Sequence, residues 1–324
     1  MRAFLIASLF AAGCYDVGAL GSSFVPDGGG GHGGTGFAGA GGTGGGNWDI
    51  VTGPSDGAPA LRGVFGSGAG DVVAVGASST IVRLTAANAP APESAPPGYN
   101  LRAVWIGGHD ALAVGDSESV LVRGSAAWDG FSFGDLTLYA VAGLPGGGAI
   151  AVGSGGSIVH QSAAMAWEAE PTPDAVFVAL RSVAARSASD VIVVGDAGTV
   201  VHGTGASVPL TWTQENSGVD GDLFATFTTA TETWIVGAGG VILHAGTDDA
   251  WAVEPSGTGA DLFGVSGDGD SVWAVGAGGT IVRRHAGAWS VEAAGGADLR
   301  AVFAAGGGEV WAVGDRGTVL HRRP

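Results

Sequence analysis

Four histidines and two arginines recur at one position of a repeated unit, and such side chains form acid–base pairs or bind metals. Each lies seven residues after the glycine of a Val-Gly step, and the set is His160, His202, His244, His321, Arg83 and Arg283. Zinc needs its nitrogen ligands at about 2 Å, whereas equivalent positions of neighbouring packed sheets are about 10 Å apart. One ion therefore cannot collect these histidines, and we predict no metal site and no cofactor.

An acidic residue stands five positions before the same glycine in five units, namely Asp71, Asp110, Asp190, Glu232 and Glu309. On antiparallel strands, such an acid faces the histidine or arginine directly or diagonally. The sequence therefore predicts a repeated structural latch that ties two strands of each unit and is exposed at the strand ends. A pH-sensitive or anion-binding ring is the alternative interpretation.

The unit that positions these residues occurs seven times between Trp48 and Pro324. A leucine precedes each key glycine by 14 or 15 residues, and successive glycines are 38 to 42 residues apart. The glycines are Gly76, Gly115, Gly153, Gly195, Gly237, Gly276 and Gly314. Repetition at a period of about 40 is typical of propellers and solenoids.

Each unit contains four short apolar runs separated by glycine-rich turns, and in five units the fourth run opens with tryptophan. This pattern predicts an all-β, seven-bladed β-propeller with four-stranded blades over residues 48–324. The last unit stops after its third run, so Trp48-Asp49-Ile50-Val51 is expected to supply its fourth strand and close the ring. In the first unit, we expect a proline-rich loop over 89–100 in place of that strand.

The first 47 residues have the composition of an export signal followed by a flexible tether. Met1-Arg2 is followed by an apolar run to Ala12 and by Ala12-Gly13-Cys14, which resembles the lipobox of bacterial lipoproteins. We predict a signal peptide over 1–13, acylation of Cys14 and a flexible glycine-rich tether over 14–47. The protein would then be exported and lipid-anchored to an envelope membrane, facing the periplasm or the cell surface. An ordinary signal peptide cleaved nearby is the alternative.

The charge balance excludes several function classes. The formal net charge is −17 and the chain contains no lysine. Such a surface repels nucleic-acid phosphates, so no nucleic-acid partner is expected. Without lysine the chain can form neither a P-loop nor a lysine Schiff base. With a single cysteine it cannot form a metal site of several thiolates. We expect a monomer.

Six aspartates are candidates for a partner-binding rim around the propeller axis. Asp116, Asp196 and Asp315 follow the key glycine, where aspartate normally bonds its own turn backbone. Another three precede the innermost strand on the same face: Asp222, Asp261 and Asp298. An acidic rim of this kind would attract a basic partner.

The repeat Val-Gly-x-x-Gly-Thr-Ile/Val-Leu/Val-His/Arg resembles that of BNR-type and WD-type propellers, including the photosystem II assembly-factor group. The match is clearest at 195–202, 276–283 and 314–321. The Asp-box turn of those families is reduced here to its tryptophan, as at Trp251 and Trp289. The resemblance implies the propeller fold and says little about activity.

Two function classes follow from this resemblance. A non-catalytic scaffold would bind an envelope or extracellular protein, or a glycan, through loops on one rigid face. The alternative is a sialidase-like or glycosidase-like enzyme, which needs an arginine cluster and a tyrosine with a glutamate beside it. The repeat region has two tyrosines, Tyr99 and Tyr139, and no recognisable carboxylate pair. The sequence favours the scaffold.

Overall fold

The computed structural model describes residues 48–324 except 86–87, 108–109, 125–126, 162–165, 174–175, 269–270 and 294. The predicted signal peptide, Cys14 and the tether over 14–47 lie outside the described residues. Across the described ranges, no helix is both long enough and apolar enough to cross a membrane.

The described residues form seven four-stranded antiparallel sheets, which confirms the seven-bladed β-propeller. We number the blades 1 to 7 by their innermost strands. These innermost strands are β2 (Leu61–Gly66), β6 (Leu101–Gly107), β10 (Leu138–Gly143), β14 (Leu180–Ser187), β18 (Leu223–Thr228), β22 (Leu262–Gly267) and β26 (Leu299–Gly306). Each contacts the innermost strand of the next blade, and β26 contacts β2, so the ring is closed.

The second strands form the most buried layer, because each is covered on both faces by neighbouring blades. In blades 1, 3, 5 and 6 every residue of this strand is buried. The second strands are β3 (Val72–Gly76), β7 (Asp110–Gly115), β11 (Ala149–Gly153), β15 (Asp190–Gly195), β19 (Thr233–Gly237), β23 (Ser271–Gly276) and β27 (Glu309–Gly314).

The third strands return from a tight hairpin, and in five blades that hairpin is a single 3-10 turn. These turns are Asp116–Glu118, Ser154–Gly156, Ala238–Gly240, Ala277–Gly279 and Asp315–Gly317. The third strands are β4 (Ile81–Thr85), β8 (Ser119–Arg123), β12 (Ile158–Gln161), β16 (Thr199–Thr204), β20 (Ile242–Ala245), β24 (Ile281–His285) and β28 (Val319–Arg322).

The fourth strands form the outer edge. In blades 1 to 6 they are β5 (Asn88–Pro92), β9 (Trp128–Ser132), β13 (Trp167–Ala169), β17 (Thr211–Asn216), β21 (Ala252–Glu254) and β25 (Ala288–Ala293). In blade 7 the fourth strand is β1 (Trp48–Thr52), which pairs antiparallel with β28 at the other end of the chain.

The proline-rich segment of blade 1 differs from the sequence expectation. Residues 88–92 form a true fourth strand, with Val82 facing Pro92 and Arg83 facing Ala91. The prediction of a loop there was wrong, because prolines lack only the N–H group. An outermost strand can direct that position towards solvent and lose no ladder hydrogen bond.

The key glycine of each repeat is required by a close approach of backbone. Asp315 N donates to the carbonyl oxygen of Asp298, 2.9 Å away. A Cβ on Gly314 would overlap that same oxygen, and the six equivalent glycines meet the equivalent carbonyl. The third residue of the innermost strand is small for a related reason, since a Cβ on Gly63 would lie 2.9 Å from Ala103 Cα in the next blade.

Among the described residues, a Trp–Glu hydrogen bond joins adjacent blades at the outer edge in five of the seven interfaces. In each pair the indole Nε1 of one blade donates to a glutamate at or next to the end of the fourth strand of the preceding blade. The pairs are Trp128–Glu93 (2.6 Å), Trp212–Glu170 (3.1 Å), Trp251–Glu215 (2.9 Å), Trp289–Glu254 (2.6 Å) and Trp48–Glu292 (3.1 Å). The last of these ties the closing strand β1 to blade 6.

Candidate binding site at the axial mouth

The second residue of every innermost strand is the extra residue of a β-bulge. In blade 1, Leu61 faces Gly76 and Gly63 faces Val75, so Arg62 has no partner in the ladder. The same register shift occurs in the other six blades. A bulge turns a side chain away from the packed face of its sheet. These seven residues, the axial ring, are Arg62, Arg102, Tyr139, Arg181, Phe224, Phe263 and Arg300.

Side chains of the axial ring contact one another from blade to blade. The guanidinium carbons of Arg102 and Arg181 lie 5.4 Å and 4.7 Å from the centre of the Tyr139 ring. On the other side of the axis, the rings of Phe224 and Phe263 are 5.5 Å apart, and the guanidinium carbon of Arg300 is 4.7 Å from Phe263. Cation–π and aromatic contacts therefore hold this ring in one arrangement before any partner arrives.

Three rim aspartates neutralise three arginines of the axial ring. The closest N–O distances are Arg102–Asp116 (2.9 Å), Arg181–Asp196 (2.6 Å) and Arg300–Asp315 (2.5 Å). The expectation that these aspartates bond their own turn was wrong, because the bulge brings an arginine of the same blade within reach. The hydrogen bond to Asp196 raises the pKa of Arg181, and that to Asp315 raises the pKa of Arg300.

Arg62 differs from the other arginines of the axial ring because Ala77 stands where blades 2, 4 and 7 have aspartate. Its Nη1 is buried and has no hydrogen-bond partner among the described residues. Burial, with a further contribution from Arg102, lowers its pKa below the usual value of a guanidinium. We call the end of the central axis at which the innermost strands begin the axial mouth. It thus contains a partly buried cation whose complement is an anionic group.

The other three rim aspartates cap the hairpin of the preceding blade. Their Oδ1 atoms accept backbone N–H bonds from Ala197 (to Asp222, 2.9 Å), Gly239 (to Asp261, 2.8 Å) and Gly278 (to Asp298, 2.8 Å). They satisfy N–H groups that the turn would otherwise leave open. A partner-binding role for these aspartates stays a prediction, and the structure gives each of them a contact inside the domain.

Two exposed apolar side chains lie in loops that lead into the innermost strands. Phe177, which precedes β14, is 77% exposed, and Leu136, which precedes β10, is 42% exposed. Because the innermost strands begin at the axial mouth, both loops lie on the same face as the axial ring. Exposed apolar groups beside arginine and tyrosine are the composition of protein-binding surfaces.

Four of the six latch residues lie within ion-pair distance of the acid at the start of the second strand. The pairs are Arg83–Asp71 (2.9 Å), His202–Asp190 (2.9 Å), His321–Glu309 (3.1 Å) and His244–Glu232 (3.6 Å). These contacts tie the second strand to the third within a blade.

The remaining two latch residues depart from the predicted pairing, since glycine and serine occupy the acid position in blades 3 and 6. His160 Nδ1 lies 2.9 Å from Glu170 Oε1 of the fourth strand, an ion-pair distance without hydrogen-bond alignment. Arg283 Nη2 donates to Ser271 Oγ (2.9 Å), and its Nη1 lies 3.5 Å from Glu292. The expected exposure was also wrong for His160 and His321, which are buried.

The glutamate of the fourth strand is the partner that sequence reasoning missed. Glu215 accepts from His202 Nδ1 (3.0 Å) with Oε1 and from Trp251 with Oε2. The spacing Trp-x-x-Glu, which recurs in the fourth strands of blades 3 to 6, carried the signal. The glutamate links the latch of its own blade to the outer edge of the next blade.

The requirements of a tyrosine nucleophile are not met in the described part of the chain. Tyr139 is flanked by two arginines, yet no carboxylate there hydrogen-bonds its hydroxyl. Tyr99 lies beside the blade 1 hairpin, where its backbone N–H donates to Ser79 Oγ (2.9 Å). A tyrosine without an adjacent base is a weak nucleophile.

No protein-family model matches the chain, and no curated protein matches it. Solved structures do match. YCF48 from Cyanidioschyzon merolae is 19% identical, with a TM-score of 0.67 over 86% of this chain and 98% of that one. YCF48 bound to D1 peptide is 16% identical (TM-score 0.67, 86% and 95% covered), and the WD40 propeller domain of Doa1 is 9% identical (TM-score 0.72, 86% and 97% covered). These similarities confirm a fold like that of YCF48 and WD40 propellers.

Proposed function

We propose that this protein is a non-catalytic binding propeller, held at the bacterial cell envelope by a lipid on Cys14, which captures a segment of another protein at its axial mouth. The observation that carries the proposal is the axial ring. Six of its seven side chains make aromatic or cation–π contacts between blades, and the seventh, Arg62, offers a partly buried positive charge without a carboxylate of its own. Propellers of this shape include one bound to a peptide, YCF48 with D1 peptide.

The chemistry of the mouth defines the partner segment. A side-chain or C-terminal carboxylate is the complement of Arg62, because a charge-assisted bond at a half-desolvated guanidinium is stronger than one in water. Apolar side chains of the segment would pack on Phe224, Phe263 and Phe177. The net charge of −17 repels most anionic proteins, so a carboxylate that docks must be carried by a segment shaped for the mouth. A basic partner at the acidic rim stays a separate prediction, although the rim carboxylates already have contacts inside the domain.

A photocrosslinking experiment in intact cells tests this site. A photoreactive residue replaces Phe177 on the axial-mouth face or, as the control, Val253 on the outer edge, which is 63% exposed. We expect one cell protein to crosslink from position 177 and to be lost when Arg62→Gln is added. Arg316→Gln is the matched control, because Arg316 lies in a hairpin of the same face and is outside the axial ring. Equal capture from both positions, or capture that ignores Arg62→Gln, would refute an axial site.

The lipid anchor is a separate part of the proposal and is tested separately. The run from Met1 to Cys14 supports it through its charge, its apolar stretch and its small residues before the cysteine. Cells fed a clickable fatty acid should label the protein, and Cys14→Ser should abolish that label and release the protein from membranes. Undiminished labelling of Cys14→Ser would rule the anchor out and would leave the binding site untouched.

A further inference from the structure

A group of three ionisable side chains lies at the boundary of blades 4 and 5, on the face opposite the axial mouth. His202 on β16 and Glu215 on β17 belong to blade 4, whereas Asp249 comes from the turn between β20 and β21 of blade 5. His202 Nδ1 is 3.0 Å from Glu215 Oε1 and 3.3 Å from Asp249 Oδ2. These three atoms all lie within 4.8 Å of one another. Such separations are those of neighbouring ligands around one small cation bound at about 2.0–2.2 Å.

Each of the three side chains is oriented by a further partner. His202 Nε2 lies 2.9 Å from Asp190 Oδ1, Glu215 Oε2 accepts from Trp251 Nε1 at 2.9 Å, and Asp249 Oδ1 accepts from Arg186 Nη2 at 2.5 Å. The remaining atoms, Nδ1, Oε1 and Oδ2, therefore face each other. A carboxylate that holds one histidine nitrogen while the other ligates is the usual outer arrangement of a metal site.

Equivalent interfaces elsewhere in the ring supply a cation from the next blade. At blades 5 and 6, Arg284 Nε lies 3.0 Å from Glu254 Oε2. At blades 1 and 2, Arg123 approaches Asp71 at 3.1 Å and Glu93 at 3.8 Å. At blades 4 and 5 the next blade contributes the carboxylate of Asp249 instead, and the arginine there, Arg186, comes from blade 4 and lies at the far oxygen of Asp249 and 3.7 Å from Asp190. The place that an arginine fills in two interfaces is thus lined here by one imidazole and two carboxylates.

We propose that His202, Glu215 and Asp249 form a binding site for one divalent transition-metal ion, of which Zn²⁺ is the probe of choice. Imidazole and carboxylate ligands suit zinc, and three protein ligands leave positions for water. On binding, one proton leaves Nδ1 for solvent, because a ligating nitrogen needs its lone pair. The ion would join β16 and β17 of blade 4 to the outer turn of blade 5. The sequence-based exclusion of a metal concerned histidines of different blades, whereas this group needs one histidine.

Zinc titration of the full-length protein tests the site. We expect calorimetry to detect one Zn²⁺ per chain that Asp249→Asn and Glu215→Gln each weaken by at least about tenfold. Saturating zinc at a hundredfold excess over Kd should raise the Tm of the wild-type protein by about 5–10 °C, and a chelator should reverse that rise. Melts in chelator verify that each variant folds, so a loss of binding is not a loss of structure.

The sister cluster in blade 5 supplies the matched control. His244 Nδ1 lies 3.1 Å from Glu254 Oε1, where Arg284 already provides the cation. His244→Gln should leave zinc affinity and the zinc-dependent rise in Tm unchanged. The proposal is overturned if zinc fails to raise the Tm at millimolar concentration, or if His244→Gln weakens binding as much as His202→Gln does. In either case the group binds no metal ion, and its carboxylates are balanced by Arg186 and by the proton on His202.

Discussion

His202 and His321 occupy the same position of the repeat in blades 4 and 7, yet their surroundings oppose each other. Three carboxylates approach His202, and the hydrogen bond to Glu215 in particular raises its pKa. His321 is 2% exposed, stacks on Trp311 with ring centres 3.9 Å apart and has one acid partner, Glu309. Burial lowers its pKa in spite of that partner. A repeat fixes where a side chain lies, and the side chains packed around it decide its chemistry.

The closing strand β1 lies beside His321, since Asp49 faces His321 in the β1–β28 ladder, and it covers one side of this buried imidazole. A chain without residues 48–52 loses this cover and the burial of Trp48, an effect of about 3–5 kcal/mol. We expect its Tm to fall by roughly 10 °C or more and the pKa of His321, followed by NMR, to rise towards its ordinary value. Removal of five residues at 38–42 is the control and should leave both unchanged. An unaltered Tm after loss of 48–52 would mean that β1 does not close the ring.

Replacement of His321 by glutamine removes its stack on Trp311 and leaves Glu309 with a weaker partner, at a cost of about 2 kcal/mol at pH 8. Because its folded pKa is lowered, the wild-type protein loses stability as pH falls below about 6.5, the unfolded value. His321→Gln removes that penalty. The difference in free energy of unfolding between variant and wild type should therefore become smaller from pH 8 to pH 5. Urea melts at both pH values measure this, and a gap that widens in acid would contradict a lowered pKa.

The same substitution at His202 should show the opposite dependence on pH. A raised folded pKa stabilises the protein below about pH 6.5, and this contribution is lost as pH rises through the folded value. We expect His202→Gln to cost about 1 kcal/mol at pH 5.5 and clearly less at pH 8, with chelator present so that metal has no influence. If the loss of unfolding free energy changed with pH in the same direction for His202→Gln and His321→Gln, the two sites would not differ as described.

The smallest effect is expected where the latch is most exposed. Glu232 is 46% exposed and lies 3.6 Å from His244. Glu232→Gln should change the free energy of unfolding by under about 0.5 kcal/mol at any pH between 5 and 8. A loss above 1 kcal/mol in urea melts would show that the charge of the acid, rather than its burial, sets the strength of the latch.

The sequence predicted those features that depend on register within one blade. The key glycines were visible as one recurring position of the repeat. The pairing of His202 with Asp190 follows from a twelve-residue separation along two joined strands. Contacts between blades were not predictable in the same way. Asp249 reaches His202 because of the shape of one turn, and the bulge that exposes Arg62 has no local sequence signature. The Trp-x-x-Glu spacing is the exception, since it repeats and was visible in the sequence.

The Trp48–Glu292 bond also has a consequence for how the chain assembles. Its two residues are separated by 244 positions, and β1 pairs with the last strand of the chain. Such distant pairing is the slowest kind to form, because the long intervening loop must close before the contact is gained. Because a chain is made from its N-terminus, β1 has no partner until β28 has also been made. Until then both ends are open edges, and this unfinished ring is the state most prone to associate with other chains.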